Sequence, residues 1–468
     1  MKLNFFKFTL LFSIIVLISS CVSTTDTTTL SSNPCFSSLT FAKMDSVPNI
    51  STASFTLEYD ASLNDSVIVN LDSLPYKTRI DSVYPTFTFI SSAGVKLFSS
   101  VIYKYKKDST EVTGKDTVDF RQPVYVRNYA ADEKTYKKYL IRVNVHQVQP
   151  ELYIWSKVNE GINSYNSFNQ KAIISNDTIL YFLNNGSNSY LYTSTDGSSW
   201  GSSPITITGL PANLSFNDMQ LFSGKLYVTQ DDKIYSSSNH KDWVVKMNPD
   251  YIFKSLLFSF TNKLWAVVQS KTDLTYRFAT SINGVDWIIK GVIPANFPTH
   301  DFTSLTYASR TDKPKVLVLG GYSKDNQPLY NRWGSEDCAQ WSDFSIENHS
   351  LDTLSVGASV ISYDDKLFVF GLRKDNLALF FKQSLDEGLS WQIPNKTYNF
   401  LPTNFTARNY QSVVVLKSKT YPAVNSADLK EEILASNRIF IIGGQSTTAI
   451  PLSDIWTGKL NRLNFLRQ

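Results

Sequence analysis

Acidic, amide and aromatic side chains stand next to one another at three places in the C-terminal two thirds of the chain. These residues are Asn217, Asp218, His300, Asp301, Phe302, Arg408, Asn409 and Tyr410. Carboxylates and amides hydrogen-bond hydroxyl groups and aromatic rings cover apolar faces, so the three groups suit recognition of a sugar or a peptide. His300 beside Asp301 could instead serve as a general acid and base. Each of these residues could also simply pack against, or cap, its own structural element.

Metal, cofactor and nucleic-acid chemistry find little support in the sequence. The 4 histidines are scattered, and none of the 3 cysteines (Cys21, Cys35 and Cys338) stands in a Cys-x-x-Cys pair, so neither a metal site nor a cofactor is predicted. The 45 basic and 41 acidic residues give a net charge of only +4, which argues against a dedicated nucleic-acid binder. Cys35 and Cys338 lie far apart in the chain, and we expect two unpaired thiols.

A polar turn followed by tryptophan recurs five times, at intervals of roughly 40–55 residues, the length of a four-stranded propeller blade. The tryptophans are Trp200, Trp243, Trp287, Trp341 and Trp391, and the polar turn residues before them are Asp196, Asn239, Asn283, Asp337 and Asp386. A short polar side chain can accept the backbone N–H groups of a turn, here between the third and fourth strands. Each tryptophan would fill the wedge between two blades. His240 and Cys338 replace the glycine of the turn, so we expect those two turns to be distorted.

Six apolar strands accompany these turns, which predicts a six-bladed β-propeller over residues 151–468. The sixth blade has no copy of the turn. We expect residues 152–158 (LYIWSKV) to supply its outer strand and so close the ring. A short helix is predicted at residues 426–435, in an insertion of the last blade.

The region before the repeat, residues 36–150, shows strands of alternating polarity. Tyr139 to Val145 is the clearest, with apolar residues at every second position. Such segments predict an antiparallel β-sandwich, for which a spacer role is the default.

The first residues of the sequence are predicted to be a targeting segment rather than part of a folded domain. Lys2 and Lys7 precede an apolar run too short to span a bilayer, so residues 1–20 read as a signal peptide. The tetrad Ile18-Ser19-Ser20-Cys21 resembles a bacterial lipobox, which implies lipid on Cys21. Residues 21–35 would then form a tether, rich in serine and threonine, to an envelope membrane.

Several motifs resemble known modules. The turn ending at Trp391 resembles the Asp box of sialidase-like propellers, whereas the glycine pairs 320–321 and 443–444 resemble kelch repeats. The hairpin over 124–143 resembles immunoglobulin-like or cadherin-like bacterial modules. Segments 70–78, 118–123, 143–147 and 456–463 together resemble a family of uncharacterised Bacteroides-type lipoproteins that pair a sandwich with a propeller. That resemblance implies envelope location and brings no known activity.

The sequence therefore predicts an all-β protein, with an N-terminal antiparallel β-sandwich and a six-bladed kelch or sialidase-like β-propeller. We expect a monomeric, lipid-anchored outer-membrane protein whose propeller binds a glycan or an envelope protein without catalysis. Neither the Arg-Ile-Pro motif of sialidases nor the histidine pattern of kelch copper oxidases occurs. An epimerase, mutarotase or glycosidase-like enzyme acting on sugars stays open as the alternative.

Overall fold

The structure is a computed structural model that describes residues 29–99, 110–111, 117–147, 149, 151–159, 162, 169–201, 203–248, 250–346, 349–395, 400–417 and 437–461. The chain divides into two compact units, Met1–Gln149 and Pro150–Gln468. Cys21 and the predicted helix at 426–435 lie outside the described residues. Within the described residues, no helix has the length and apolar character needed to cross a membrane.

The N-terminal unit is built from two sheets. Its strands are β1 (Phe36–Phe41), β2 (Thr56–Asp60), β3 (Asp65–Val69), β4 (Pro85–Phe89), β5 (Gly94–Ser99), β6 (Thr110–Glu111), β7 (Val124–Tyr129) and β8 (Tyr136–Arg142). β1 pairs with β4, and the second sheet has the order β2-β3-β8-β7-β5-β6. Leu39 and Phe41 pack with Val126, Tyr139 and Ile141 in the core, because period-two alternation turns these side chains inward.

The sequence predicted an antiparallel sandwich, and this prediction is wrong for one pair of strands. Strands β3 and β8 run parallel, with Val67 opposite Leu140 and Val69 opposite Arg142. A parallel pair joins strands distant in sequence, and local alternation carries no information about that direction.

The C-terminal unit is the predicted six-bladed propeller. The first three blades are four-stranded sheets. Their strands are β10 (Gln170–Ser175), β11 (Thr178–Asn184), β12 (Ser189–Ser194) and β13 (Ile205–Thr206); β14 (Gln220–Phe222), β15 (Lys225–Gln230), β16 (Lys233–Ser237) and β17 (Val244–Lys246); and β18 (Tyr251–Phe260), β19 (Lys263–Ser270), β20 (Tyr276–Ser281) and β21 (Ile288–Val292).

The last three blades are less regular. The fourth is four-stranded, the fifth has three strands, and the sixth is completed from the start of the unit by β9 (Tyr153–Asn159). Their other strands are β22 (Thr303–Ala308), β23 (Pro314–Leu319), β24 (Arg332–Ser335) and β25 (Ser342–Asp343); β26 (Ser359–Tyr363), β27 (Lys366–Leu372) and β28 (Leu379–Ser384); and β29 (Arg408–Asn409), β30 (Ser412–Leu416), β31 (Arg438–Ser446) and β32 (Pro451–Leu460).

Strand β9 closes the ring, as the sequence predicted. It pairs antiparallel with β32, with Tyr153 opposite Leu460 and Trp155 opposite Gly458. The indole N–H of Trp155 donates to the Phe400 carbonyl, and the two rings meet edge to face at 5.5 Å. Trp155 thus packs between the fifth and sixth blades, where the missing turn would have brought its tryptophan.

Tryptophans from the five turns pack in the wedges between neighbouring blades. Trp243 of the second blade, for example, contacts Phe182 of the first with ring centroids 6.3 Å apart. Trp341 of the fourth blade stacks on Phe278 of the third at 5.4 Å. A large aromatic side chain buries much apolar area in one place, so one tryptophan per blade is enough to fill most of the wedge between two blades.

In each of the five turns, the Asp or Asn side chain accepts at least one backbone N–H of the turn. In the first, Asp196 Oδ1 accepts the N–H groups of Ser198 at 2.8 Å and Ser199 at 2.7 Å, while Ser194 Oγ accepts that of Gly197 at 2.8 Å. These backbone bonds lower the pKa of Asp196 to about 2. We call these turns, each of which follows the third strand of a blade, the box turns.

The expected distortion at His240 and Cys338 is wrong. His240 takes φ 65° and Cys338 takes φ 58°, close to the 70° of Gly197. The polar contacts persist, since Asn239 accepts from Asp242 N at 2.8 Å and Asp337 from Ala339 N at 2.8 Å. A left-handed conformation costs an L-residue about 1–2 kcal/mol, which the bonds of the turn can offset. Cys35 and Cys338 are both free, as predicted.

Candidate functional site

The loops at the opposite end of the blades from the box turns carry the predicted ligand-facing residues. Each such loop runs from the outer strand of one blade to the innermost strand of the next, so it ends beside the central channel. Asn217 lies in the loop before β14, Asp301 in the loop before β22, and Tyr410 directly before β30. The second, fourth and sixth blades thus supply one loop each.

A cluster of side chains from these loops meets at the channel mouth. The Asn217 amide donates to Asp301 Oδ1 at 2.7 Å, which joins the second and fourth blades. Burial raises the pKa of Tyr410 to about 12, and the nearby Asp301 and Tyr322 add to that shift. His300 stacks on Tyr322, with centroids 5.4 Å apart and ring planes inclined by 18°. We call Asn217, His300, Asp301, Tyr322 and Tyr410 the mouth cluster.

Two residues of the mouth cluster are held in an unusual backbone conformation. Asp301 has φ 53° and Tyr410 has φ 58°, in the left-handed region that bulky side chains rarely adopt. The Tyr410 N–H donates to the Gly357 carbonyl at 2.7 Å, and a Cβ on Gly357 would collide with the Tyr410 ring. The fifth blade therefore fixes both the backbone and the ring of Tyr410.

His300 and Asp301 are neighbours but do not act on each other as an acid–base pair would. His300 Nδ1 lies 3.0 Å from Thr299 Oγ1, whereas the Asp301 carboxylate binds Asn217. Among the described residues no hydrogen bond joins the His300 ring to Asp301. The geometry thus favours two separate polar groups over a coupled pair.

Asp218 belongs to the wall of the channel rather than to its mouth. Its Oδ2 accepts the hydroxyl of Thr229 and, at 2.9 Å, the N–H of Leu256 in the third blade. Burial raises its pKa to about 6, although these bonds and Lys171 oppose the shift. Lys171 donates to the Asn217 carbonyl at 3.1 Å, and burial lowers the pKa of its ammonium. Asp218 therefore joins two blades below the mouth cluster.

Arg408, Asn409 and Phe302 are not positioned to face a ligand, contrary to the sequence-based expectation. Arg408 is 0% exposed and donates to Asp454 Oδ2 at 3.1 Å and to the Gly443 carbonyl at 3.0 Å. The Asn409 amide is likewise buried and bonded to the loop at Ser355 and Val356. Phe302 packs against the core between the third and fourth blades. These side chains hold the loops in place.

Lys171 and Tyr322 are the contributors that the sequence did not reveal. Lys171 stands inside an ordinary strand pattern, and only the fold brings it next to Asn217. Tyr322 follows the pair Gly320-Gly321, whose left-handed conformations let the chain turn back onto His300. A Cβ on Gly321 would meet the His300 carbonyl. The Gly320-Gly321 pair was therefore the sequence feature from which the position of Tyr322 could have been inferred.

No metal centre emerges from the described ranges of the chain. No group of three or more His, Cys, Asp or Glu side chains comes together there in a way that could hold an ion. What the mouth cluster can do is accept and donate hydrogen bonds beside the half-buried rings of His300, Tyr322 and Tyr410.

Comparison with solved structures finds similar propellers at low identity. A Hadza microbial sialidase shares 10% identity over 75% of this chain and 81% of its own, with a TM-score of 0.38. An endo-arabinase from Bacteroides thetaiotaomicron shares 11% over 66% of this chain and 99% of its own, with a TM-score of 0.31. A family 117 glycoside hydrolase from Zobellia galactanivorans shares 9% over 59% and 88%, with a TM-score of 0.26. Likeness at this level carries no argument about activity.

Family comparison is more informative. No curated protein matches the chain significantly. Residues 22–143 match the N-terminal domain of DUF6242, a domain of unknown function, and residues 149–468 match the DUF6242 beta propeller domain. Between them the two matches cover most of the chain, and the second alone covers more than half. The chain therefore belongs to the DUF6242 family.

Proposed function

We propose that the propeller binds a neutral glycan at the mouth cluster, without catalysis, and that lipid on Cys21 holds the protein in the cell envelope. The observation that carries the binding proposal is the geometry of Asp301. Asn217 fixes its Oδ1, while its Oδ2 has no hydrogen bond among the described residues. A carboxylate held in this way is ready to accept sugar hydroxyls.

The fixed backbone of the mouth supports this role. Asp301 and Tyr410 keep left-handed conformations, which set the direction of each side chain. The surrounding loops maintain these conformations through the Asn217 and Gly357 contacts. A preorganised site of this kind loses little conformational entropy when a ligand arrives.

The chemistry of the cluster favours a glycan over a protein partner. It combines one carboxylate, one amide and the stacked His300–Tyr322 pair in a small area. Sugars present hydroxyls at their edges and apolar C–H faces above and below the ring, so they need this mixture. A protein partner would need a far larger contact surface, on the order of 800 Å².

Asp301→Asn tests the proposal. We expect binding on a glycan array to fall about tenfold or more, because a charge-assisted acceptor is lost, while asparagine tolerates the left-handed backbone. Asp312→Asn is the matched control, since Asp312 has φ 58° and lies in the same blade, in the loop between β22 and β23 at the box-turn end. Equal binding by both variants and the unaltered chain would refute the site.

A sugar-converting enzyme is the second candidate, and one observation favours it. Asp218, with its pKa raised to about 6, could donate or accept a proton near neutral pH. Its oxygens, however, are already bound by Thr229 and Leu256. Turnover of a bound sugar that disappears in Asp218→Asn would replace the binding proposal with this one.

The anchor proposal rests on the lipobox and is tested separately. We expect labelled palmitate to enter the chain in its native host and to be absent after Cys21→Ala. Mass spectrometry of the mature N-terminus would show the acylated cysteine. An unmodified start at any other residue would contradict the anchor.

A further inference from the structure

A groove lies on the same end of the propeller as the mouth cluster, between the third and fourth blades. Its volume is about 750 Å³, and its walls come from three loops. They are the turn between β19 and β20, the loop from β21 to β22, and the loop from β23 to β24. Leu274, Tyr276, Asn296, Lys324 and Gln327 line it. We call it the blade-3/4 groove.

The groove is continuous with the mouth cluster along the chain. Ser323 lines the groove and follows Tyr322, on which His300 stacks. Phe297 lines it as well, and Thr299 N, two residues later, donates to the Tyr322 carbonyl at 2.8 Å. The two loops that form the outer part of the mouth therefore also form two walls of the groove.

The groove walls mix exposed apolar side chains with amides. Leu274 is 64% and Val292 is 58% exposed, although both lie beside a concave surface. The Asn296 backbone is fixed by its carbonyl, which accepts the Trp333 indole N–H at 3.1 Å, and by φ 62°. Its side-chain amide takes part in no hydrogen bond among the described residues. Lys324 is paired with Asp325 at 2.8 Å, so the groove has no surplus charge from this pair.

We infer that the blade-3/4 groove extends the mouth site, so that the ligand is a neutral oligosaccharide of several sugars rather than a single sugar. This inference rests on the proposed glycan binding at the mouth. One end of the oligosaccharide would lie at Asp301, and the following sugars would lie along Leu274, Tyr276 and Asn296. Pockets of about 300–1,000 Å³ hold ligands larger than one sugar ring.

The chain offers a matched pair of positions for the test. Leu274 and Leu377 occupy the same turn in the third and fifth blades, between the second and third strands. Their φ values are 58° and 57°, and their N–H groups donate back to Ser270 at 3.1 Å and Arg373 at 3.0 Å. Leu377 is 45% exposed and lies away from the groove lining. Glycine suits both backbones, so neither substitution should unfold the protein.

The experiment uses a fluorescently labelled pool of neutral oligosaccharides, prepared by partial hydrolysis of plant polysaccharides and separated by length. The mature chain, Asp301→Asn, Leu274→Gly with Asn296→Gly, and Leu377→Gly are each titrated with every fraction. We expect the unaltered chain to prefer fractions of about three sugars or more. The groove double variant should lose about fivefold to tenfold in affinity for those, and little for shorter ones.

The outcomes separate the two proposals. If affinity does not depend on length, or if the groove variant and Leu377→Gly behave alike, the groove inference is wrong and the mouth site stands. If the unaltered protein binds none of the oligosaccharide fractions, the mouth site fails and the groove inference fails with it. The same follows if Asp301→Asn binds the fractions as tightly as the unaltered protein does. Thermal unfolding of each variant confirms that the comparison is between folded proteins.

Discussion

The two ends of the propeller follow different rules. At one end, the Asp or Asn of each of the five box turns accepts a backbone N–H of the turn, even where His240 or Cys338 replaces glycine. At the other end, the loops that lead into the inner strands differ from blade to blade: Asn217 binds Asp301 of another loop, whereas Arg408 is buried against Asp454. The repeated end builds the ring, whereas the variable end is free to bind. Regularity in a repeat protein therefore marks what the fold needs, and departure from it marks where a function can lie.

The strongest way to break the regular end is to add a methyl group at Gly284. Its φ is 71°, and a Cβ there would collide with the Tyr227 ring of the preceding blade. We expect Gly284→Ala to lower the free energy of unfolding by about 3 kcal/mol, from backbone strain and overpacking together. Gly224→Ala is the control, since Gly224 has φ 73° but open space around its Cβ. Chemical denaturation that shows equal losses for both would leave the collision without effect.

The channel wall should respond to pH in the direction opposite to the box turns. The pKa of Asp218 is raised to about 6 by burial, so the folded state holds its proton more tightly than the unfolded state. Its charged form then destabilises the fold by up to about 3 kcal/mol at pH 7, and this cost disappears as the pH falls from about 7 to 4. In Asp218→Asn that pH dependence should be absent. Denaturation of both proteins at pH 4 and pH 7 measures the difference, and parallel curves would contradict it.

A box turn should instead weaken in acid. The pKa of Asp196 is lowered to about 2 by the N–H groups of Ser199 and Ser198, so its stabilising effect is complete above pH 4. It should be lost as the pH falls through about 2, and because the side chain is exposed we expect only about 1 kcal/mol. Asp196→Ala should lose a similar amount at pH 7 and little at pH 2. Thermal melts over this range check the sign, and a loss that grows toward low pH would exclude it.

The smallest effect should come from restoring glycine to the box turns. His240→Gly removes a left-handed L-residue and should stabilise the protein by at most about 1 kcal/mol. Cys338→Gly should instead destabilise it slightly, because Cys338 is 2% exposed within the core of the third and fourth blades and its removal leaves a small cavity. Calorimetry of the two variants would show opposite shifts in Tm. Two stabilising shifts would mean that relief of backbone strain outweighs the cavity at Cys338, and a destabilising shift for His240→Gly would contradict the prediction.

The sequence was sufficient to predict the closed ring of six blades but not the full set of residues in the mouth cluster. Tryptophan spacing and apolar strands identify blades because every copy repeats the same packing problem, and the closing strand followed from the copy missing in the sixth blade. The parallel pairing of β3 with β8 could not be inferred, since alternation along one strand does not identify its neighbour.

The binding end was only partly foreseen for a physical reason. Asn217 and Asp301 were found because polar loop residues before an inner strand must lie near the channel. Arg408 looked similar in sequence, but its partner Asp454 lies far along the chain and draws it into the blade. Lys171 joins the site only through tertiary contacts, which no local pattern encodes, whereas Tyr322 was marked only by the glycine pair before it.

The pairing of β9 with β32 also sets a schedule for folding. The strand that opens the propeller finds its partner only among residues that end at Leu460, so the ring cannot close until the segment up to Leu460 has been synthesised. A contact between such distant segments is slow to form, because a very long loop must close first. A chain that stops before Pro451 would lack β32 and would therefore expose the edges of β9 and β31 at once, and exposed strand edges promote aggregation.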